Sequence, residues 1–440
     1  MPKIVFIQPT QYRSDGKSLC KQKRIHLPGL AFPLLAAMLP SDWEAEVLLE
    51  VVDEINFDMD ADLVAIGTMG HAMFRGMEIA DEFRSRGKKV VMGGYMASIA
   101  FKEALKHSDS VVIGDAEISF IKMLKDFEKG KLEKIYNYPV SNLDKLPIPH
   151  YELLLKKPIG NMLPVQAGRG CSYQCSFCSI ACLYRGKYLT RPLDEVIRDI
   201  EVVKNFGFKR FYLIDDNIIS NPKYLEQLCD RITNLKMKWA TQCSLQLARN
   251  KRLLEKVVSS GGELLSFGIE SINQEGLNLL NKSWLKVEEH EKNLSELTKA
   301  GLIISSEMIV GTDGDTEESI RETKNFIERN KIAIPRFYIL TPIPETELYT
   351  QMKKENRLVI EDWKLYDGSR CVHRPKLIEP EKLTQMYWWL NRQIFSFKSI
   401  IKRLILNPSM WKKPYMMVFA FVVNLHYRKY VLKKVTPNIY

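Results

Sequence analysis

A chain of 440 residues exceeds what one ordinary hydrophobic core supports, so two or three domains are expected. Hydrophobic residues make up 45% and charged residues 27%, which excludes a disordered or fibrous protein. The net charge of +11 is unevenly spread: residues 381–440 hold eleven Lys and Arg against one acidic residue, Glu381, so the preceding part is close to neutral.

Met1-Pro2-Lys3 runs straight into the strand-like Ile4-Val5-Phe6-Ile7, without the pattern of a secretory leader. Through residue 125, strand signals at residues 3–8, 45–52, 62–67, 89–92 and 110–114 alternate with helical periodicity, clearest over 75–86. This alternation predicts an α/β domain with a doubly wound parallel sheet, whose ligands bind beyond the carboxyl ends of the strands. Those ends carry Thr68-Met69-Gly70-His71, Gly93-Gly94-Tyr95 and Gly114-Asp115-Ala116-Glu117. None spells the G-x-G-x-x-G fingerprint, so a dinucleotide is not the expected ligand.

Three prolines, Pro139, Pro147 and Pro149, mark a linker over 138–160 after a first domain of residues 1–137. A second series of strands follows at 162–166, 210–215, 238–244, 264–270, 303–310 and 336–340. Helices are expected between them at 193–206, 223–235, 251–259 and 317–329. Six βα units predict a partial (βα)6 barrel over 161–348, with its chemistry at the C-terminal ends of the strands. Residues 349–440 form a mostly helical, basic remainder. Its longest charge-free apolar stretch, 414–427, is shorter than the roughly 20 residues of a membrane span. A cytoplasmic protein is expected, with membrane association open through the basic tail.

Eight cysteines are too few for a disulfide scaffold in a chain of this length. Cys20, Cys229, Cys243 and Cys371 are scattered as small buried residues would be. The other four fall within Gly168-Arg169-Gly170-Cys171-Ser172-Tyr173-Gln174-Cys175-Ser176-Phe177-Cys178 and the following Cys182. Three thiolates in eight residues converge if the loop wraps one iron–sulfur cluster, leaving one iron open. A zinc site completed by Cys182 is the alternative, although zinc ligands usually come as two close pairs with a longer gap.

The C-x3-C-x2-C run with Phe177 before the last cysteine resembles the signature of the radical S-adenosylmethionine (SAM) superfamily. That resemblance implies a [4Fe–4S] cluster on Cys171, Cys175 and Cys178, with SAM chelating the open iron. Reductive cleavage of SAM to a 5′-deoxyadenosyl radical is implied too, with an external donor of flavodoxin or ferredoxin type. It places SAM contacts at strand ends: Asp216 in Asp215-Asp216-Asn217, then Gln242 and Ser244, then Glu270 and Ser271 in Gly268-Ile269-Glu270-Ser271. Two stretches depart from the family pattern, Gly311-Thr312-Asp313-Gly314-Asp315-Thr316 and Thr341-Pro342-Ile343-Pro344-Glu345-Thr346. In the second, Glu345 stands where relatives often have a turn glycine.

The first domain resembles the Rossmann-like cobalamin-binding module preceding the barrel in one radical SAM subclass. Residues 27–37, 62–67, 90–94 and 112–117 carry that likeness. It implies cobalamin near Thr68, Gly93, Gly94 and Gly114. No D-x-H-x-x-G motif is present, and His71 lacks that context, so histidine ligation of the lower face is not expected. Residues 361–368, 373–375 and 387–389 resemble the tails of hopanoid methylases and the anaerobic bacteriochlorophyll ring cyclase. The expected activity is cobalamin-dependent methylation of an unactivated carbon on a lipid-like or other apolar small molecule. Radical oxidation or cyclisation is the enzymatic alternative, and iron–sulfur electron transfer the non-enzymatic one. A transfer-RNA methylthiotransferase would ordinarily need three more cysteines in the first domain, which has only Cys20, so no nucleic acid is expected. The basic tail is compatible with peripheral membrane contact or with simple packing on the barrel.

Overall fold

The structure, a computed structural model, describes residues 1–437. It divides into two compact units, Met1–Gln166 with Leu189–Val203, and Ala167–Tyr188 with residues 204–437.

In the first unit, Ile4, Val5, Phe6 and Ile7 are fully buried, as a strand covered on both faces requires. They lie in β1 (Lys3–Gln8). With β2 (Glu44–Leu49), β3 (Leu63–Gly67), β4 (Lys89–Gly93), β5 (Ser110–Val112) and β6 (Ile135–Tyr136) it forms a sheet ordered β2-β1-β3-β4-β5-β6. All pairings are parallel. The direction of winding reverses between β1 and β3, which makes their carboxyl ends the crevice of an open α/β sheet. Helices α1 (Ala72–Ser85) and α2 (Ala116–Glu128) turn Met73, Met77, Phe83 and Phe120, Met123 inward. The expected strands recur within one to three residues at each end. The short sixth strand, β6, was not anticipated.

β7 (Leu163–Gln166) ends just before the cysteine loop. The second unit then carries β8 (Arg210–Ile214), β9 (Lys238–Cys243), β10 (Gly262–Glu270), β11 (Ile303–Val310) and β12 (Ile334–Ile339), paired in chain order and all parallel. This sequential open sheet is that of a partial βα barrel. Its outer layer includes α3 (Pro222–Thr233), α4 (Lys251–Ser259), α5 (His290–Lys299) and α6 (Glu317–Arg329). Along β10, Leu265, Phe267 and Ile269 are fully buried, while the alternating Leu264 and Gly268 keep some exposure. The period-2 pattern therefore sets one face against the helical layer and leaves the other towards the barrel interior.

The chain ends in α7 (Pro380–Ile394), α8 (Phe397–Leu404) and α9 (Pro414–Leu432). Arg403 is fully buried among them and donates to the carbonyls of Ile332 (2.8 Å), Ala333 (3.1 Å) and Ile394 (2.9 Å) and to Asn424 Oδ1 (2.8 Å). Asn424 Nδ2 returns a bond to the Ala333 carbonyl at 2.9 Å. Burial depresses the Arg403 guanidinium to about 9, and these acceptors hold it in place. Among the described residues no helix is long and apolar enough to cross a membrane.

Candidate active site

At the carboxyl edge of the first sheet, the Thr68 N–H bonds the Gly93 carbonyl at 2.9 Å. Thr68 is fully buried, and its hydroxyl spans the Gly93 carbonyl and the Ala97 N–H, both at 3.2 Å. Thr68 therefore ties β3 to β4. Gly94 has φ +92°, and a Cβ there would stand 2.6 Å from the Thr68 carbonyl oxygen. Only glycine lets the two strand ends approach so closely. Gly114 has φ +75°, open space where a side chain would be, and its N–H bonded to Ser98 Oγ at 2.9 Å. Half-buried His71 precedes the first turn of α1 without a side-chain capping bond to it, and Met69 nearby is half exposed.

The cysteine loop in the second unit is fixed by contacts within the protein itself. Gly170 has φ +85°, and a Cβ there would meet the Lys187 carbonyl oxygen at 2.2 Å. The Gly170 N–H bonds Asp216 Oδ2 at 2.7 Å, so the carboxylate at the end of β8 orients the residue before Cys171. Ser176 donates its N–H to the Leu280 carbonyl (3.1 Å) and its hydroxyl to that of Leu279 (3.0 Å), and Asn281 Nδ2 bonds the Gln174 carbonyl at 2.7 Å. Phe177 packs against the buried cluster of Leu280, Ile309, Leu340, Leu348 and Met352. The aromatic residue before the last cysteine thus anchors the loop.

Cys171, Cys175 and Cys178 share this loop. Asn217 Nδ2 approaches Cys171 Sγ at 3.6 Å and Ser220 Oγ approaches it at 3.9 Å, which suits a charged sulfur. Burial pushes the Cys175 thiol up to about 12, opposed by the neighbouring Lys282 ammonium, and burial also raises Cys178. Such thiols lose their protons when a cation compensates, as in metal ligation. No three His, Cys, Asp or Glu side chains among the described residues surround a single point as one metal ion would require. Cys182 Sγ donates to the Glu345 carbonyl at 3.1 Å. Glu345 takes φ +67°, so the turn expected of glycine persists at a cost of about 1–2 kcal/mol. In the other departure, Asp315 Oδ2 accepts from the N–H groups of Gly311 and Thr312 and from the Thr312 hydroxyl, each at 2.8 Å, closing the turn before α6.

The expected SAM contacts divide by environment. Asp215, the neighbour of the expected contact Asp216, is buried, accepts from Tyr188 OH at 2.6 Å and the Asn217 N–H at 2.9 Å, and has its pKa raised by burial to about 8. Gln242 is exposed at the end of β9. Ser244 Oγ and Asn217 Oδ1 are buried without hydrogen-bond partners among the described residues, on neighbouring strand ends. Unmet polar atoms beside a cysteine loop are what a polar ligand would satisfy. Glu270 has φ +61°, and the Ser271 N–H reaches the Ile269 carbonyl at 2.9 Å, a γ-turn closing β10. Its carboxylate is held by Lys282 Nζ at 2.6 Å, and Ser271 Oγ accepts the Asn273 N–H at 3.0 Å. Ser271 is therefore occupied locally.

Lys282, Asn217 and Ser220 were not singled out by sequence. Lys282 also donates to the Gly268 carbonyl at 3.1 Å and lies over the Trp284 ring, which stacks on Tyr173 with centroids 3.8 Å apart. No spacing rule announces a lysine that meets its partner across a loop. Asn217 sat beside Asp216 in the same segment and could have been read as a second donor.

A parallel barrel sheet with three cysteines in one loop at its strand-end face defines an iron–sulfur enzyme of the radical SAM type. Residues 165–327 match the family described as the Radical SAM superfamily. The bacteriochlorophyllide d C-12(1)-methyltransferase of Chlorobaculum tepidum is 30% identical over 389 residues, covering 86% of this chain and 82% of that protein. The hopanoid C-2 methylase of Rhodopseudomonas palustris is 25% identical over 91% of this chain and 75% of its own. The solved cobalamin-dependent SAM radical enzyme OxsB has the same fold, with TM-score 0.69 at 15% identity over 98% of this chain and 73% of that chain. The chain belongs to the radical SAM superfamily, in the subclass whose barrel follows a cobalamin-binding-type domain, and is an enzyme.

Proposed function

We propose that the protein is a cobalamin-dependent radical SAM C-methyltransferase acting on an unactivated carbon of an apolar small molecule, lipid-like or tetrapyrrole in class. The observation that carries this reading is the likeness to a bacteriochlorophyllide methyltransferase along most of both chains. In this reading Cys171, Cys175 and Cys178 hold a [4Fe–4S] cluster, and Asp216, Gln242, Ser244, Glu270 and Ser271 line the SAM side. Thr68, Gly93, Gly94 and Gly114 border cobalamin. When bound, these groups supply a hydrogen-abstracting radical and a transferable methyl group.

The chain's own contribution is placement. Asp216 fixes Gly170, and hence the start of the cluster loop. Asn217 and Ser220 donate towards the Cys171 sulfur. Ser244 Oγ and Asn217 Oδ1 offer unmet polar atoms to the polar end of SAM. Electrons come from an external donor of flavodoxin or ferredoxin type. Peripheral contact with a membrane through the basic C-terminal region belongs to the same proposal.

Anaerobic turnover of cobalamin-loaded protein tests it. Methylation yields S-adenosylhomocysteine and 5′-deoxyadenosine together. Formation of deoxyadenosine alone would favour radical oxidation or cyclisation, and absence of SAM cleavage would favour electron transfer.

A further inference from the structure

α9 runs from Tyr415 to Val423 without a charge and is apolar around its whole circumference. A helix of that composition is ordinarily covered on every side. One side is covered, through Met416, Ala420, Asn424, Tyr427 and Val431. The other is open: Val418 and Val422 are 60% and 58% exposed, and Tyr415 on the same face keeps 43% exposure although its hydroxyl bonds Glu263. α8 repeats the arrangement. Ile400 and Leu404 turn inward, while Phe397, Ile401 and Ile405, four residues apart, are exposed. The two helices adjoin: Arg428 of α9 lies over the Phe397 ring at 4.6 Å, and Trp411 between them, 61% exposed, donates to the Ile405 carbonyl at 2.8 Å.

The charge of this region selects what covers it. No Asp or Glu occurs after Glu381, and Lys398, Lys412, Lys429 and Lys433 are exposed on or beside α8 and α9. A second copy would bring the same positive charge with no acidic residue of this segment to meet it. A nucleic acid would satisfy the lysines but leave the apolar stripes in water. An anionic bilayer answers both, taking apolar side chains below its headgroups and lysines among them.

We propose that α8 and α9 form a membrane-docking face for anionic lipid, with Trp411, Val418 and Val422 entering the interfacial layer. This deepens the membrane contact within the function proposed above and is independent of methyl transfer. Full-length protein sedimented with phosphatidylcholine–phosphatidylglycerol vesicles tests it. Wild type should partition into these vesicles at least about tenfold more than into phosphatidylcholine alone, and less so in high salt. Val418→Glu with Val422→Glu should lower partitioning about tenfold, as should Lys412→Glu with Lys429→Glu, with circular dichroism and thermal unfolding unchanged because these positions are exposed.

Equal partitioning into both vesicle types, or undiminished binding by both folded double variants, would overturn the proposal. So would a wild-type dimer in sedimentation velocity that Val418→Glu with Val422→Glu converts to monomer, since the face would then belong to a second copy. SAM cleavage measured without vesicles is indifferent to all these results, so failure here leaves the catalytic reading standing.

Discussion

Lys282 Nζ lies 2.6 Å from Glu270 Oε1, with each side chain only 9% exposed, and the ammonium also influences the thiol of Cys175. The pair joins the strained end of β10 to the loop that packs on the cysteines. Lys282→Met would strand a buried carboxylate, a loss of about 3–5 kcal/mol when one partner of a buried pair is removed. Thermal unfolding should show a much lower midpoint, and Lys282→Arg should recover part of it. A Lys282→Met protein as stable as wild type would show that the pair does not form.

Gly170→Ala should prevent the cysteine loop from closing, because the positive φ and the Lys187 carbonyl both reject a side chain. The expected result is a folded barrel with little bound iron after anaerobic reconstitution. Iron and sulfide analysis together with circular dichroism separates this from general unfolding. Full iron content in Gly170→Ala would contradict the geometry.

Alanine substitution of Cys171, Cys175 or Cys178 should each abolish the cluster chromophore. Cys182→Ala should leave it intact, since that thiol bonds the Glu345 carbonyl. Absorbance of the reconstituted proteins near the thiolate–iron bands decides between three ligands and four.

His373 is fully buried, its Nε2 lies 2.9 Å from the Gly311 carbonyl, and burial holds its pKa down to about 4. The unfolded chain keeps the ordinary value of 6.5 and so binds more protons between about pH 6.5 and pH 4. Stability is therefore fully present above that window and falls as the pH drops through it. His373→Gln should flatten this slope in thermal melts taken from pH 7 to pH 5. It should also cost about 1–3 kcal/mol at neutral pH if the Gly311 carbonyl loses its donor.

Much of the fold could be read from the sequence because parallel strands here are continuous apolar runs. The span 303–310 recurs as β11 and 251–259 as α4. β6 escaped because two residues carry no period. The cysteine loop was legible from spacing, whereas its supports were not. Lys282 and Ser220 reach it across loops from distant sequence with nothing local to mark them, whereas Asn217 stood next to Asp216 in a segment already singled out. Thr68 and Ser271 were legible as strand-end residues, but the backbone bonds that their hydroxyls make were not. A motif gives the position of a side chain along the chain; its free lone pairs depend on what folds around it.

Arg403 and Asn424 carry a consequence for how this tail can change over generations. With the guanidinium bonded to carbonyls before β12, to α7 and to α9 at once, removing α9 would leave a cation stranded in an apolar interior. The last helix is therefore not a detachable appendage, and lineages cannot gain or lose it freely. Its outward residues carry no such constraint, so homologues that work in different surroundings should differ at positions such as 418 and 422 while keeping the Arg–Asn clasp beneath them.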